Sequence, residues 1–324
     1  MLIAEPGIYE IDAIDYHADP CPTPSLNNSL IASLLECPRL AWEKHPRLNP
    51  AYEETGSRDL DLGSVAHALL LGRGKSIVLI DAADYRTNDA KAARDNARAF
   101  GKIPVLPEQM AAAEDMQRAA IQQLRDFPDT YGNPFGDDGK SEVGLFWRDG
   151  DAWGRSLIDR LRTATPAWEC WDYKTTKANI NPEAGSLGIH VVDMGYDTQM
   201  AMQERGLIAL YPGLAGRLKF RLLFQQSAAP YLISIVEPDP ATMTIARKKV
   251  ERAFQIWNEC LTSKTWPGYP NRIMPLRHAE FLAARWMERE VADLDAGRLP
   301  PAPQLKRPRG RPRKSEPVSD LSGG

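Results

Sequence analysis

No stretch of this 324-residue chain approaches the roughly 20 consecutive apolar residues that a helix needs to span a bilayer. The first ten residues, MLIAEPGIYE, carry no basic segment ahead of an apolar core. Neither a secreted nor a membrane protein is expected, and the reading is cytoplasmic with no membrane partner. Cysteine is scarce: Cys21, Cys37, Cys170 and Cys260 stand far apart without a Cys-x-x-Cys pair, which argues against a zinc ribbon or a disulfide framework. A phosphate-binding glycine is missing too. GKS at 74–76 looks like the end of a P-loop, but Leu69 occupies the place of its first glycine, and the segment follows a helical pattern rather than a strand. ATP binding by that mechanism is excluded.

The chain also lacks a surplus of positive charge. It holds 40 basic and 43 acidic residues for a formal net charge of −3. Six of the basic ones fall in 306–314 (KRPRGRPRK), so the remainder carries 34 against 43, a net of −9. A polyanionic partner needs local positive charge. If nucleic acid is the substrate, basic residues must line one channel of an otherwise acidic body.

What is present is a constellation of two aspartates and a lysine. Residues 153–161 (WGRSLIDRL) and 168–175 (WECWDYKT) alternate as strands, with 163–167 (TATPA) as the turn between them. Alternation puts Asp159 on one face of the first segment, and Asp172 with Lys174 on one face of the second. Paired as neighbours, the strands bring all three side chains to one spot. Two carboxylates can hold a hard divalent cation, and a lysine can orient a water or neutralise charge developing on a phosphate. An Asp-x-Lys step by itself also fits an exposed, salt-bridged strand face. The neighbouring Trp168, Trp171 and Tyr173 favour a buried strand, where charge needs a partner or a metal.

Around these residues stand GSVAHALLLG (63–72), SEVGLFW (141–147), RSLIDRL (155–161), WDYKTTKAN (171–179) and YDTQMAMQ (196–203), after a leader SLNNSLIASLLECPRLAWEKHP (25–46). The ordered set, over about residues 26–266, resembles the PD-(D/E)xK nuclease superfamily. More closely it resembles the exodeoxyribonuclease VIII (RecE-type) branch, related to the nuclease domain of RecB. The resemblance implies that His67, Asp159, Asp172 and the backbone carbonyl of Tyr173 bind metal, that Lys174 is the catalytic lysine, and that Gln199 contacts the scissile strand or orients the water. Gly63, one turn before His67, lets that helix approach the sheet. Glu142 is read as a solvated strand-end residue and left out of the set. Two positions depart from the family: Asp172 stands where Glu is frequent, and Gln203 where Tyr is frequent.

The resemblance further implies Mg2+ as cofactor, with Mn2+ as a substitute, and double-stranded DNA ends as substrate. One strand would be degraded 5′ to 3′ to leave 3′ overhangs for recombination, in a bacterial cell, from a phage or prophage gene; the alternatives are an endonuclease or flap nuclease of the same fold, or a catalytically silent DNA-binding protein. It also implies a single-strand annealing protein as partner and a homo-oligomeric ring of three or four copies. The helices around 89–126 and 278–296 would supply the ring contacts. Some relatives carry an iron–sulfur cluster built from one early and three late cysteines; only Cys260 is late here, so none is expected.

The expected fold class is α/β, a mixed central sheet flanked by helices, in one domain over 1–298 with a helical insertion at about 80–130. The stretch up to Gly72 reads as two helices, 76–79 as a short strand, and 89–126 as helix broken by GKIPVLP (101–107). Strands are expected at 218–226 and 231–238, and helices at 195–210, 240–264 and 278–296, with Ile245, Val250, Phe254 and Trp257 on one stripe of the second. The tail 299–324 has almost no apolar content and reads as disordered. Within it Arg309-Gly310-Arg311-Pro312 resembles an AT-hook that inserts into a narrow A·T minor groove; a generic basic tail or localisation signal fits the same run.

Overall fold

The strand signals at 140–176 are the strongest in the chain, and they build the centre of the sheet. The computed structural model describes residues 1–52, 62–127, 133–164 and 167–298. Three long strands run consecutively: β5 (Lys140–Asp149), β6 (Ala152–Arg162) and β7 (Trp168–Thr176). They are antiparallel, and a tight turn at Gly150 (φ +61) joins the first two. Ahead of them come β1 (Gly7–Glu10), α1 (Ala13–His17), β2 (Ser25–Leu26), α2 (Asn28–Glu36), α3 (Pro38–Glu43) and α4 (Leu62–Leu71). Then follow β3 (Ile77–Leu79), α5 (Asn88–Ala99), β4 (Ile103–Val105) and α6 (Pro107–Leu124). After β7 come α7 (Gly185–Asp193), α8 (Tyr196–Leu210), β8 (Leu218–Gln226), β9 (Ile233–Val236), α9 (Pro240–Ser263) and α10 (Glu280–Asp295).

The main sheet has the order β1-β5-β6-β7-β8-β9. The β7–β8 pair is parallel and carries α7 and α8 as its crossover. One core joins the sheet to α2, α8 and α9 through Leu30, Met202, Phe224 and Trp257, among others. A second packs α4 and α6 against Tyr173 and Leu223. The result is the mixed α/β sheet flanked by helices that the sequence implied. Met1–Tyr269 forms one compact unit; the described part of the second unit, Pro270–Gly324, contains α10. The tail residues Arg309, Gly310, Arg311 and Pro312 lie outside the described residues.

Three local expectations are corrected. The stretch before Gly72 is not two helices, because GIYE and the two-residue β2 become strands by pairing with β5 and β6. Such segments are too short to show periodicity. The break at 101–107 contains β4, which pairs parallel with β3 to form a second, two-stranded sheet. Ile245 is 57% exposed, whereas Met243, Ala246, Val250, Phe254 and Trp257 form the buried stripe of α9. At about 100° per residue, position 245 points well away from 250.

Candidate active site

The register of the sheet aligns three carboxylates. Glu142 of β5 falls opposite Asp159 of β6, between the pairs Ser141↔Arg160 and Val143↔Ile158. Continuing the β6–β7 register one step past Arg160↔Trp171 puts Asp172 opposite Asp159. Regular pairing stops at this row. On the edge of β6 away from β5, β7 pairs only 160–162 and β2 only 153–154, so 155–159 have no strand partner there among the described residues. Asp159 fills the opening, because its Oδ2 accepts the backbone N–H of Tyr173 at 3.0 Å. Glu142 has φ +48, a left-handed conformation strained for a residue with a side chain.

Like charges in one row repel, so each carboxylate needs a counter-charge. From α4, His67 places Nε2 3.1 Å from Asp159 Oδ2 and Nδ1 3.8 Å from Glu142 Oε1. Its ring stacks on Tyr173, with centroids 6.0 Å apart. Gly63, four residues earlier, is buried and lines the same cleft. Lys174 Nζ lies 2.7 Å from Asp172 Oδ2 and 4.9 Å from the centre of the Tyr196 ring. Gln199 Nε2 donates to Asp172 Oδ1 at 2.7 Å. Tyr196 and Gln199 share a face of α8 at a spacing of three residues. Helix α8 is itself tied to β6, since the buried Gln203 donates to the Leu157 carbonyl at 3.0 Å. The position that departs from the family pattern is thus a buttress.

These contacts set the ionisation of the centre. Burial disfavours the Asp159 carboxylate, but His67, Lys174 and the Tyr173 N–H outweigh it and hold its pKa well below the usual range. Burial, aided by Asp159, pushes the Asp172 pKa up against the opposing pull of Lys174. Burial likewise raises that of Glu142. Burial also works against the charged forms of His67 and Lys174, yet the facing carboxylates win and raise both. The centre therefore concentrates negative charge that a cation must balance.

The donor set fits a hard divalent metal: buried carboxylates, an imidazole, and a carboxylate oxygen, Asp172 Oδ2, that is buried with no hydrogen bond beyond its ion contact to Lys174. In the arrangement seen, no three His, Cys, Asp or Glu side chains among the described residues converge to enclose an ion. The His67 imidazole and the Lys174 ammonium face these carboxylates instead. The four cysteines are buried and unlinked.

The centre opens into a cleft of about 1220 Å³. Its lining carboxylates are Glu142 and Asp159, and its lining also includes Lys75, Arg98 and Lys102. Sequence reasoning left out Glu142 and did not single out Tyr196. The first was detectable from its register position opposite Asp159, the second from its place three residues before Gln199. No described helix is long and apolar enough to cross a membrane.

The family model of the PD-(D/E)XK nuclease superfamily matches residues 25–304. No curated protein matches the chain. Among solved structures, a protein of Eubacterium rectale that carries the provisional name exonuclease is similar at 14% identity with a TM-score of 0.50, covering 89% of this chain and 99% of that one. A second, SSO0001, aligns at 11% identity over 64% of this chain and 96% of that one, and its TM-score of 0.24 bears no weight.

Proposed function

This chain belongs to the PD-(D/E)XK nuclease superfamily, and on that premise we propose that it is an exodeoxyribonuclease that degrades one strand of linear double-stranded DNA. The observation that carries the reading is the row Glu142, Asp159 and Asp172, of which the first two line a cleft shared with Lys75, Arg98 and Lys102. Nucleases of this superfamily typically use divalent metal ions; Mg2+ is the proposed one, with Mn2+ as a substitute. His67, Asp159, Asp172 and the Tyr173 carbonyl would hold it, with Glu142 beside them. A bound cation supplies Lewis-acid activation of the scissile phosphate and the attacking water.

The chain's own groups do the rest. Asp159 stays ionised, because His67, Lys174 and the Tyr173 N–H favour its charged form. The Lys174 ammonium, anchored by Asp172, faces the cleft and neutralises charge that develops on the phosphate. Gln199 fixes the orientation of Asp172. The lining cations draw in the phosphate backbone.

Polarity from 5′ to 3′, a RecE-type role in recombination with an annealing partner, a phage or prophage origin and a cytoplasmic setting are part of the proposal and rest on the motif resemblance. So does groove binding by Arg309-Gly310-Arg311-Pro312. A ring of three or four copies is also proposed. It is supported by α10, which exposes Met287, Val291 and Leu294 along one stripe that a second copy would cover; a monomer mass by light scattering removes it. The reading as a whole is tested by incubating the protein and Mg2+ with linear and covalently closed circular duplex. Digestion of the linear form alone supports it, and equal cleavage of the circle makes the protein an endonuclease.

A further inference from the structure

The turn from α5 into β4 presents an aromatic ring to the same cleft as the catalytic centre. Phe100 is 70% exposed and lines that cleft together with Arg98, Lys102 and Lys75. A large apolar side chain left in water lacks a packing reason, and a single one is common on protein surfaces. What sets this one apart is that the backbone beneath it is fixed. The Phe100 N–H donates to the Ala97 carbonyl at 3.2 Å, Gly101 N–H to Arg98 at 2.9 Å, and Lys102 N–H to Ala97 at 3.0 Å. These bonds close the end of α5 into a tight cap.

Gly101 has φ +67, and a Cβ there would stand 2.7 Å from Ile14 Cδ1. Glycine is therefore favoured by the left-handed turn, and it leaves room for the Ile14 side chain of α1. The tip is braced against α1 on one side and continues into the β3–β4 pair on the other. The backbone that carries the ring is thereby fixed.

An exposed aromatic on a fixed backbone among cationic side chains is the arrangement by which proteins hold single-stranded nucleic acid: cations follow the phosphates and a base stacks on the ring without regard to sequence. In an intact duplex the bases are stacked on one another, and taking one out costs a few kcal/mol, least where the pair is already open. We propose that Phe100 is a substrate-positioning residue that stacks on an unpaired base of the strand being cut, so that the cleft takes a frayed or single-stranded DNA end in preference to a fully paired one. This inference rests on the nuclease reading above and specifies the substrate of that same site.

The test compares wild type, Phe100→Ala and Phe100→Trp on two linear duplexes of one sequence, one blunt and fully paired, the other with its last three base pairs mismatched. Wild type is expected to show the lower KM on the mismatched end. Phe100→Ala is expected to raise that KM about tenfold, equivalent to roughly 1.4 kcal/mol of lost stacking, with the loss in KM rather than kcat. Phe100→Trp restores it, since any aromatic face serves. Equal KM for Phe100→Ala and wild type in an active enzyme overturns the inference alone. So does a drop in kcat shared by the alanine and tryptophan variants, which marks a structural role. Failure of wild type to cut either duplex overturns the nuclease reading with it.

Discussion

The Asp159 carboxylate accepts the backbone N–H of Tyr173 at 3.0 Å, so the group that ends the β6–β7 ladder is also the one that faces His67. Where the next ladder bond would form, a side chain takes its place and the two strands separate. Active-site shape and sheet termination are thus one event. Asparagine keeps an acceptor oxygen at this position, so Asp159→Asn retains the ladder end while losing the charge.

Gln199 acts through Asp172 by a single 2.7 Å hydrogen bond. Gln199→Ala is expected to weaken metal dependence, raising the Mg2+ concentration for half-maximal cleavage by about 10–100-fold, the usual cost of freeing a ligand from its orienting partner. A metal titration checks this; an unchanged midpoint contradicts it.

Helix α8 reaches the sheet because Gly206 leaves room for Trp147. A Cβ at Gly206 would stand 2.7 Å from Trp147 Cε3, which is itself fully buried. Gly206→Val should cost about 1–3 kcal/mol by overpacking and lower Tm by several degrees. Because α8 carries Gln199, cleavage should fall as well. Thermal melts and initial rates decide this, and a Tm equal to wild type refutes the packing argument.

Asp19 lies in a buried cluster with Arg155 Nη1 at 3.0 Å, Ser25 N at 2.9 Å and His45 Nε2 at 3.2 Å. Burial works against its charge, but His45, Arg155 and Ser25 outweigh it and lower the pKa from 3.8 to about 2. The folded pKa is the lower one, so the stabilisation is present above pH 4 and disappears as pH falls toward 2. Its size is roughly 2 kcal/mol. In urea titrations, the stability gap between wild type and Asp19→Asn is expected to narrow from pH 6 to pH 3; a gap independent of pH contradicts the assignment.

Deletion of 308–314 (PRGRPRK) should weaken binding to A·T-rich duplex and flatten its salt dependence while metal-dependent cleavage persists. Equal affinity of both forms across a salt titration removes the groove-binding role.

Much of the sheet was legible because β6 and β7 flank a short turn and β8 carries the apolar run Leu222-Leu223-Phe224. Asp159, Asp172 and Lys174 were singled out by their strand faces and His67 and Gln199 by the ordered motifs, and the structure brings these side chains into one cluster. Glu142 was not, since a glutamate at the start of a strand looks solvated until the register sets it opposite Asp159. The basic part of the lining was invisible for another reason: Lys75, Arg98 and Lys102 belong to separate local segments, and only folding assembles them. β1 and β2 escaped notice because four and two residues show no period and owe their strand form to β5 and β6.

The central claim is that Asp159 and Lys174 belong to a metal-dependent nuclease centre. Its most direct test is the degradation of end-labelled linear duplex in Mg2+ by wild type, Asp159→Asn and Lys174→Ala, with EDTA as control and circular dichroism to show that each variant is folded. Wild type is expected to digest the duplex only with metal, and each folded variant to lose at least about 100-fold in rate. Wild-type turnover by either variant would contradict the account.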